Sequence, residues 1–212
     1  MRVFPAPVKS NKMKKLIKEI IAYQFNELEE YAQDKAKENY LAEERLPVFF
    51  SENLMYSLQD QFGLSNLKTY YSLSNCQGDG LCLYGRITYP ELFDNNKFKK
   101  TAFKGIHYKQ IQSVKDELQD IDFEHHSRYY HARTVRIESH EYSPTDKQAA
   151  IIEKIINNVK SWYLSFCKEW EERGYDYFYE ISDDEMKEIC NENDYFFTKN
   201  GKFINIDEYR EI

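Results

Sequence analysis

Seven consecutive residues, His125-His126-Ser127-Arg128-Tyr129-Tyr130-His131, hold together the groups that can cleave RNA without a metal. Such cleavage needs a base for the 2′-hydroxyl proton, an acid for the leaving oxygen and a cation for the phosphorane. His126 and His131 can serve as base and acid, and Arg128 and Tyr130 can stabilise charge on the phosphate. In an extended chain His126, Arg128 and Tyr130 share one face and His131 takes the other. Both histidines then reach one site only if the strand bends or ends near Tyr130. The alternative is a polar edge segment whose histidines are solvated and hydrogen-bonded.

A second stretch with chemical potential is Asn75-Cys76-Gln77-Gly78-Asp79-Gly80. Its two glycines could turn backbone N–H groups toward an anion, and Asp79 could orient a histidine. Against that, Asp-Gly is among the strongest two-residue hairpin turns, which is a sufficient structural reason for the motif. Phosphate-loop spacing is absent, since no Gly-Lys-Ser/Thr follows. Lys97, Lys99, Lys100, Lys104 and Lys109 lie in a stretch from Asn95 to Lys115 that has no acid. They are the candidate RNA-binding residues, or else an ordinary solvated face.

The net charge of −7 argues against broad electrostatic binding of nucleic acid, so any such contact has to be local. The four cysteines have no Cys-x-x-Cys pairing, which points to reduced thiols and a cytoplasmic setting. Cys76 and Cys82 are too far apart for the usual zinc-ligand spacing, and no metal or other cofactor is called for. No apolar run approaches the ~20 residues of a membrane helix. Phe166, Trp162 and Trp170 recur at helical spacing and read as core rather than as a base-stacking platform.

Apolar residues from Ile17 to Ala36 recur at three and four, predicting an amphipathic helix over about 10–43, with Ser10 and Asn11 as candidate caps. Its early lysines, Lys12, Lys14 and Lys15, oppose the helix dipole. A second helix is expected over Ser51–Phe62, ended by Gly63. Leu67–Asn75 and Leu81–Tyr89 read as the strands of a hairpin, Asp122–Tyr142 as one or two more, with a helix over 105–119 between. Pro144 opens a strongly periodic helix that Gly174 should end. Ser182 begins a short helix, and Tyr195–Ile206 forms a terminal hairpin turning at Asn200-Gly201. These elements predict an α+β fold, with an antiparallel sheet and central hairpin packed by two long amphipathic helices. The whole chain, 1–212, reads as one domain with a helix-hairpin appendage over about 182–212.

Four blocks, in order, resemble a family of small phage and prophage proteins, some labelled antitoxin-like. Tyr23 to Lys37 is similar to its Tyr-x-Phe-x-Glu-Leu opening, and Tyr71 to Gly80 to its Ser-Leu-Ser-x-x-Gln-Gly-Asp-Gly signature. His126 to His131 and Glu192 to Gly201 resemble its later blocks. Two departures stand out: Lys199-Asn200 replaces a commoner acidic pair, and Leu81-Cys82-Leu83 replaces small residues and Phe. The resemblance implies mobile-element cargo that counters host defence, as type II anti-CRISPR proteins do. The expected partner is then an RNA or ribonucleoprotein of a host defence system, bound or cleaved by a cytoplasmic protein. The rival expectation is a non-enzymatic inhibitor or antitoxin-like protein that covers a protein partner with its acidic C-terminal part.

Overall fold

A computed structural model describes residues 20–205, which divide into two compact units, 38–182 and a second made of 20–37 with 183–205. The segment expected as an appendage therefore folds with the N-terminal part of the chain. Helix α1 (Glu30–Glu44) crosses the boundary. The candidate caps Ser10 and Asn11 and the lysines at 12, 14 and 15 lie outside the described residues.

Within the described residues, the expected helix over 10–43 begins at Glu30, and its first ten positions lie outside them. Before it comes a single 3-10 turn, Phe25–Glu27, and Tyr23 is extended, exchanging two backbone hydrogen bonds of 2.9 Å with Phe197. Of the apolar residues that made this stretch look helical, Phe25 and Leu28 are buried and Ile21 is exposed, and Phe25 meets the ring of Phe197, distant in sequence. Helix α2 (Pro47–Phe62) begins four residues before the expected Ser51, with Pro47 in its first turn, and ends as expected at Gly63, whose φ is 65° and whose N–H donates to the Gln59 carbonyl.

Strands β1 (Leu67–Ser72) and β2 (Gly80–Ile87) form the expected hairpin, pairing Leu67 with Gly85 through Ser72 with Gly80. The connection is a loop over 73–79 and not a two-residue Asp-Gly turn. Short helices α3 (Tyr89–Phe93), α4 (Asn96–Ala102) and α5 (Tyr108–Val114) follow, where one helix over 105–119 was expected. Strands β3 (Leu118–His125) and β4 (Val135–Glu141) complete an antiparallel sheet of order β1-β2-β3-β4.

Helix α6 (Asp146–Tyr179) runs 34 residues behind a Thr145–Gln148 capping box. It passes through Gly174, the expected stop. A Cβ there would lie 2.3 Å from Leu73 Cδ1 and 3.0 Å from Phe50 Cζ, so this glycine is kept for close packing and not for a helix end. Of the two long helices expected, this one is present in full, and the other is described over Glu30–Glu44.

The inner sheet face carries Leu81, Leu83, Ile87, Ile121 and Phe123, all buried in one cluster with Ile152, Ile155, Val159 and Phe166 of α6. The Tyr163 hydroxyl donates to the Leu83 carbonyl at 3.3 Å and so ties the layers together. Among the described residues of this unit no helix covers the outer face, and Lys68, Tyr70, Arg86, Arg136, Glu138 and His140 are exposed on it. The architecture is α+β, two layers deep, with an open sheet surface.

In the other unit, helix α7 (Asp183–Glu192) leads to β5 (Phe196–Phe197) and β6 (Phe203–Ile204), whose turn closes with the Gly201 N–H on the Thr198 carbonyl. Lys37 bridges Asp34 at 2.9 Å and Asp183 at 2.8 Å, fixing α1 to the start of α7. Among the described residues no helix is long and apolar enough to cross a membrane.

Candidate functional site

The sequence-derived residues divide into several local arrangements. Asp79 is buried, and its carboxylate turns inward to organise its own loop. It accepts from the Ser74 N–H at 2.6 Å, the Cys76 N–H at 2.8 Å, the Ser72 hydroxyl at 2.9 Å and the Tyr175 hydroxyl at 3.3 Å. The Cys76 N–H, aided by Ser72, Ser74 and Tyr175 against the effect of burial, holds it below the usual carboxylate range. The expectation that Asp79 orients a histidine is therefore corrected: all its partners come from the hairpin loop and α6.

The hairpin loop does meet the 129–131 segment, but through its glycines. A Cβ on Gly78 would stand 2.7 Å from the Tyr129 ring, and one on Gly80 would stand 2.7 Å from His131 Nδ1. Glycine is needed at both because an aromatic ring and an imidazole lie directly on the backbone.

Strand β3 ends at His125, so residues 126–131 form a loop and the alternation expected for an extended segment does not apply. His126 is exposed and contacts Glu124 at 3.3 Å. Arg128 lies 4.6 Å from the centroid of the Tyr129 ring and donates to the Tyr129 hydroxyl. His131 precedes a 3-10 turn, Ala132–Thr134, and its carbonyl accepts from Thr134. Among the described residues, no hydrogen bond, ion pair or ring contact joins His126 to His131.

Lys97, Lys99 and Lys100 sit on α4, Lys104 just beyond it and Lys109 on α5. Helix α4 packs against α6, on the inner side of the sheet. Lys97 pairs with Asp60, and Lys99 donates to Asn96 at 3.4 Å. None of the five makes a hydrogen bond or ion pair with residues 125–131, so the structure does not join them to the histidine loop.

What the fold does assemble is a pile of aromatic rings on the open face. Tyr70 of β1 and Tyr84 of β2 stack with centroids 4.1 Å apart and planes 9° apart. Tyr130 lies 5.4 Å from Tyr70, and His125 lies 5.7 Å from Tyr70 and 5.6 Å from Tyr130. His125 is held by the Tyr129 carbonyl at 2.9 Å. The neighbouring Tyr70 hydroxyl and burial push the Tyr84 hydroxyl up to about 12.

At its Tyr84 end the pile borders a groove of about 440 Å³, lined also by Asn66, Lys68, Arg86, Thr88 and Asp122. Arg86 is committed: its guanidinium donates to Asp122 at 2.6 and 3.3 Å and to Asp120 at 3.3 Å. Asp122 also contacts His140. Burial pushes Asp122 up, but Arg86 and His140 outweigh it and leave its pKa below the ordinary value. Lys68 has no carboxylate partner among the described residues.

Of these residues His125 and Tyr130 lie in the stretch that the sequence singles out; the others went unselected because they come from three strands and the loops beside them. The available signal was period-two spacing, Lys68 and Tyr70 on one strand and Tyr84 and Arg86 on the next, which marks a shared face.

A family model described as a domain of unknown function (DUF8835) matches residues 56–183, more than half of the chain. The chain belongs to that family. The matched stretch runs from within α2 to the first residue of α7 and in this chain takes in the four-stranded sheet, the tyrosine pile and α6. Neither the curated proteins nor the solved structures contain a match.

Proposed function

We propose that this chain is a mobile-element counter-defence protein that binds single-stranded RNA, free or in a ribonucleoprotein, on the open face of its sheet. One observation carries the binding: the stacked Tyr70–Tyr84 pair borders a groove that also holds the unpaired ammonium of Lys68. Every base has a π-face, so an exposed ring platform recognises unpaired nucleotides without needing a basic protein. A base stacked on Tyr84 would have the Asn66 amide and the Asp122 carboxylate in the same groove to meet its edge, and Lys68 to meet a phosphate. The mobile-element setting rests on the resemblance of the four sequence blocks.

Because the other cations on this face are paired with acids, the binding is expected to depend on stacking more than on charge. Fluorescence anisotropy with a labelled single-stranded RNA tests this. Tyr84→Ala should weaken binding roughly 5- to 150-fold, the effect of about 1–3 kcal/mol per stacked base, while Tyr84→Phe should keep most of it. The slope of log K against log salt should be shallow, and Lys68→Ala should reduce it by about 0.7. Wild-type protein that ignores the RNA, or a Tyr84→Ala variant that binds as wild type does, would sink the proposal.

The same incubation reads out cleavage when its products are sized on a gel. Shortening of the RNA in the presence of EDTA, lost in both His126→Ala and His131→Ala, would extend the reading from a binder to a metal-independent ribonuclease.

A further inference from the structure

The sheet ends on β4, which pairs with β3 on one side only. Beyond the Val135 N–H, which donates to the Ala132 carbonyl, no backbone hydrogen bond leaves the other edge of β4 to any described residue. Beside this edge runs a groove of about 770 Å³ between β4 and the first four turns of α6. Its apolar lining comes from Ile137, Ile152 and Ile156, with Ala149 and Ala150. Four carboxylates share the groove, Glu138, Glu141, Asp146 and Glu153, against one ammonium, Lys160. Glu138 is paired with Arg136, whereas Glu141, Asp146 and Glu153 have no cationic partner among the described residues.

We infer that this edge and groove dock an extended basic segment of a partner protein, added to β4 as a fifth strand. The free backbone edge supplies main-chain hydrogen bonds, and the groove beside it supplies a pocket for alternate side chains. Strand alternation then sets the pattern of the occupant: every second side chain faces α6, where Lys or Arg lays its stem over the isoleucines and its charge against Asp146 and Glu153, and the β-branched residues between them face away. A second copy of this chain is disfavoured, because two copies would bring eight of these carboxylates together on chains of net charge −7. The residues are distinct from the tyrosine pile, so this site stands or falls apart from the RNA proposal.

The probe is a fluorescein-labelled peptide of alternating Lys and Val, about eight residues long to match a strand. Two controls accompany it: the Glu/Val isomer, and the Lys/Val peptide N-methylated at alternate backbone nitrogens, which cannot complete a ladder. The full chain should bind the first and reject the second. N-methylation should cost at least about tenfold, the loss of one or two net hydrogen bonds. The double variant Asp146→Asn/Glu153→Gln should weaken binding to a similar extent, and Tyr84→Ala should leave it unchanged. Equal binding of the N-methylated peptide would overturn strand addition, leaving only charge attraction. Failure of the Lys/Val peptide to bind, or a concentration-dependent dimer that protects the β4 amides from exchange, would overturn the proposal itself.

Discussion

Replacing Glu91 by alanine is expected to cost about 3 kcal/mol or more of folding stability, because a buried carboxylate with several donors has no nearby substitute. Glu91 is only 8% exposed and joins two junctions. One oxygen accepts from the Ser65 N–H at 2.8 Å, the Asn66 N–H at 3.3 Å and the Ser65 hydroxyl at 3.3 Å. The other accepts from the Thr88 N–H at 2.9 Å and hydroxyl at 3.0 Å, closing the capping box of α3. Glu91 thereby fixes the entry to β1 and the exit from β2, including Asn66 and Thr88 of the groove.

Burial pushes the Glu91 carboxyl up, but the donors from Ser65, Thr88 and Asn66 together outweigh it and keep its pKa below the usual value. A depressed folded-state pKa means that the stabilisation is complete above the unfolded value, about 4.3, and is lost as pH falls through the lower folded value. Urea denaturation at neutral pH and then into the acid range should show wild type losing this contribution, and Glu91→Gln should have a flatter acid limb. A Glu91→Gln variant as stable as wild type at pH 7, with the same acid dependence, would contradict the account.

Gly201→Ala should be comparably severe but confined to the unit that contains the terminal hairpin. Gly201 has φ 75°, which costs an L-residue about 1–2 kcal/mol, and its Cβ would fall 2.1 Å from the Ala32 carbonyl oxygen. That neighbour is helix backbone and cannot rotate aside, so the total should reach about 3 kcal/mol or more, in the range of overpacked cores. Amide exchange followed by mass spectrometry should show faster exchange in residues 183–205, while the strands of the four-stranded sheet keep their protection. Unchanged exchange in the terminal hairpin would refute the prediction.

Local signals carried much of the fold. Gly63 ends α2, the β-branched and aromatic runs on either side of the signature give β1 and β2, and Asn200-Gly201 turns the last hairpin. Each depends on chemistry within a few residues. The misreadings share the opposite property. Gly174 looked like a helix end because its role, making room for Leu73 and Phe50, depends on residues about a hundred positions earlier. Tyr23 looked helical because its strand partner, Phe197, lies at the far end of the chain. Asp79 looked like a turn residue or a catalytic orienter, while its carboxylate holds a loop together and reaches Tyr175.

The candidate site was less legible for the same reason. His126, Arg128, Tyr130 and His131 are adjacent in sequence, which made them conspicuous, but adjacency did not bring their side chains into one centre. Tyr70 and Tyr84 are two among 18 tyrosines and become distinctive only when the pairing of β1 with β2 stacks them. Knowing which face of the sheet stays open required knowing that the helices pack on the other.

The chain has two tryptophans, Trp162 and Trp170, and both lie on α6 in the larger unit. Indole emission therefore reports the melting of that unit and is blind to the other, whereas helical ellipticity reports both. Superimposed optical transitions would mean that the two units melt as one cooperative body, and a lag between them would give the free energy of the smaller unit without any engineered label.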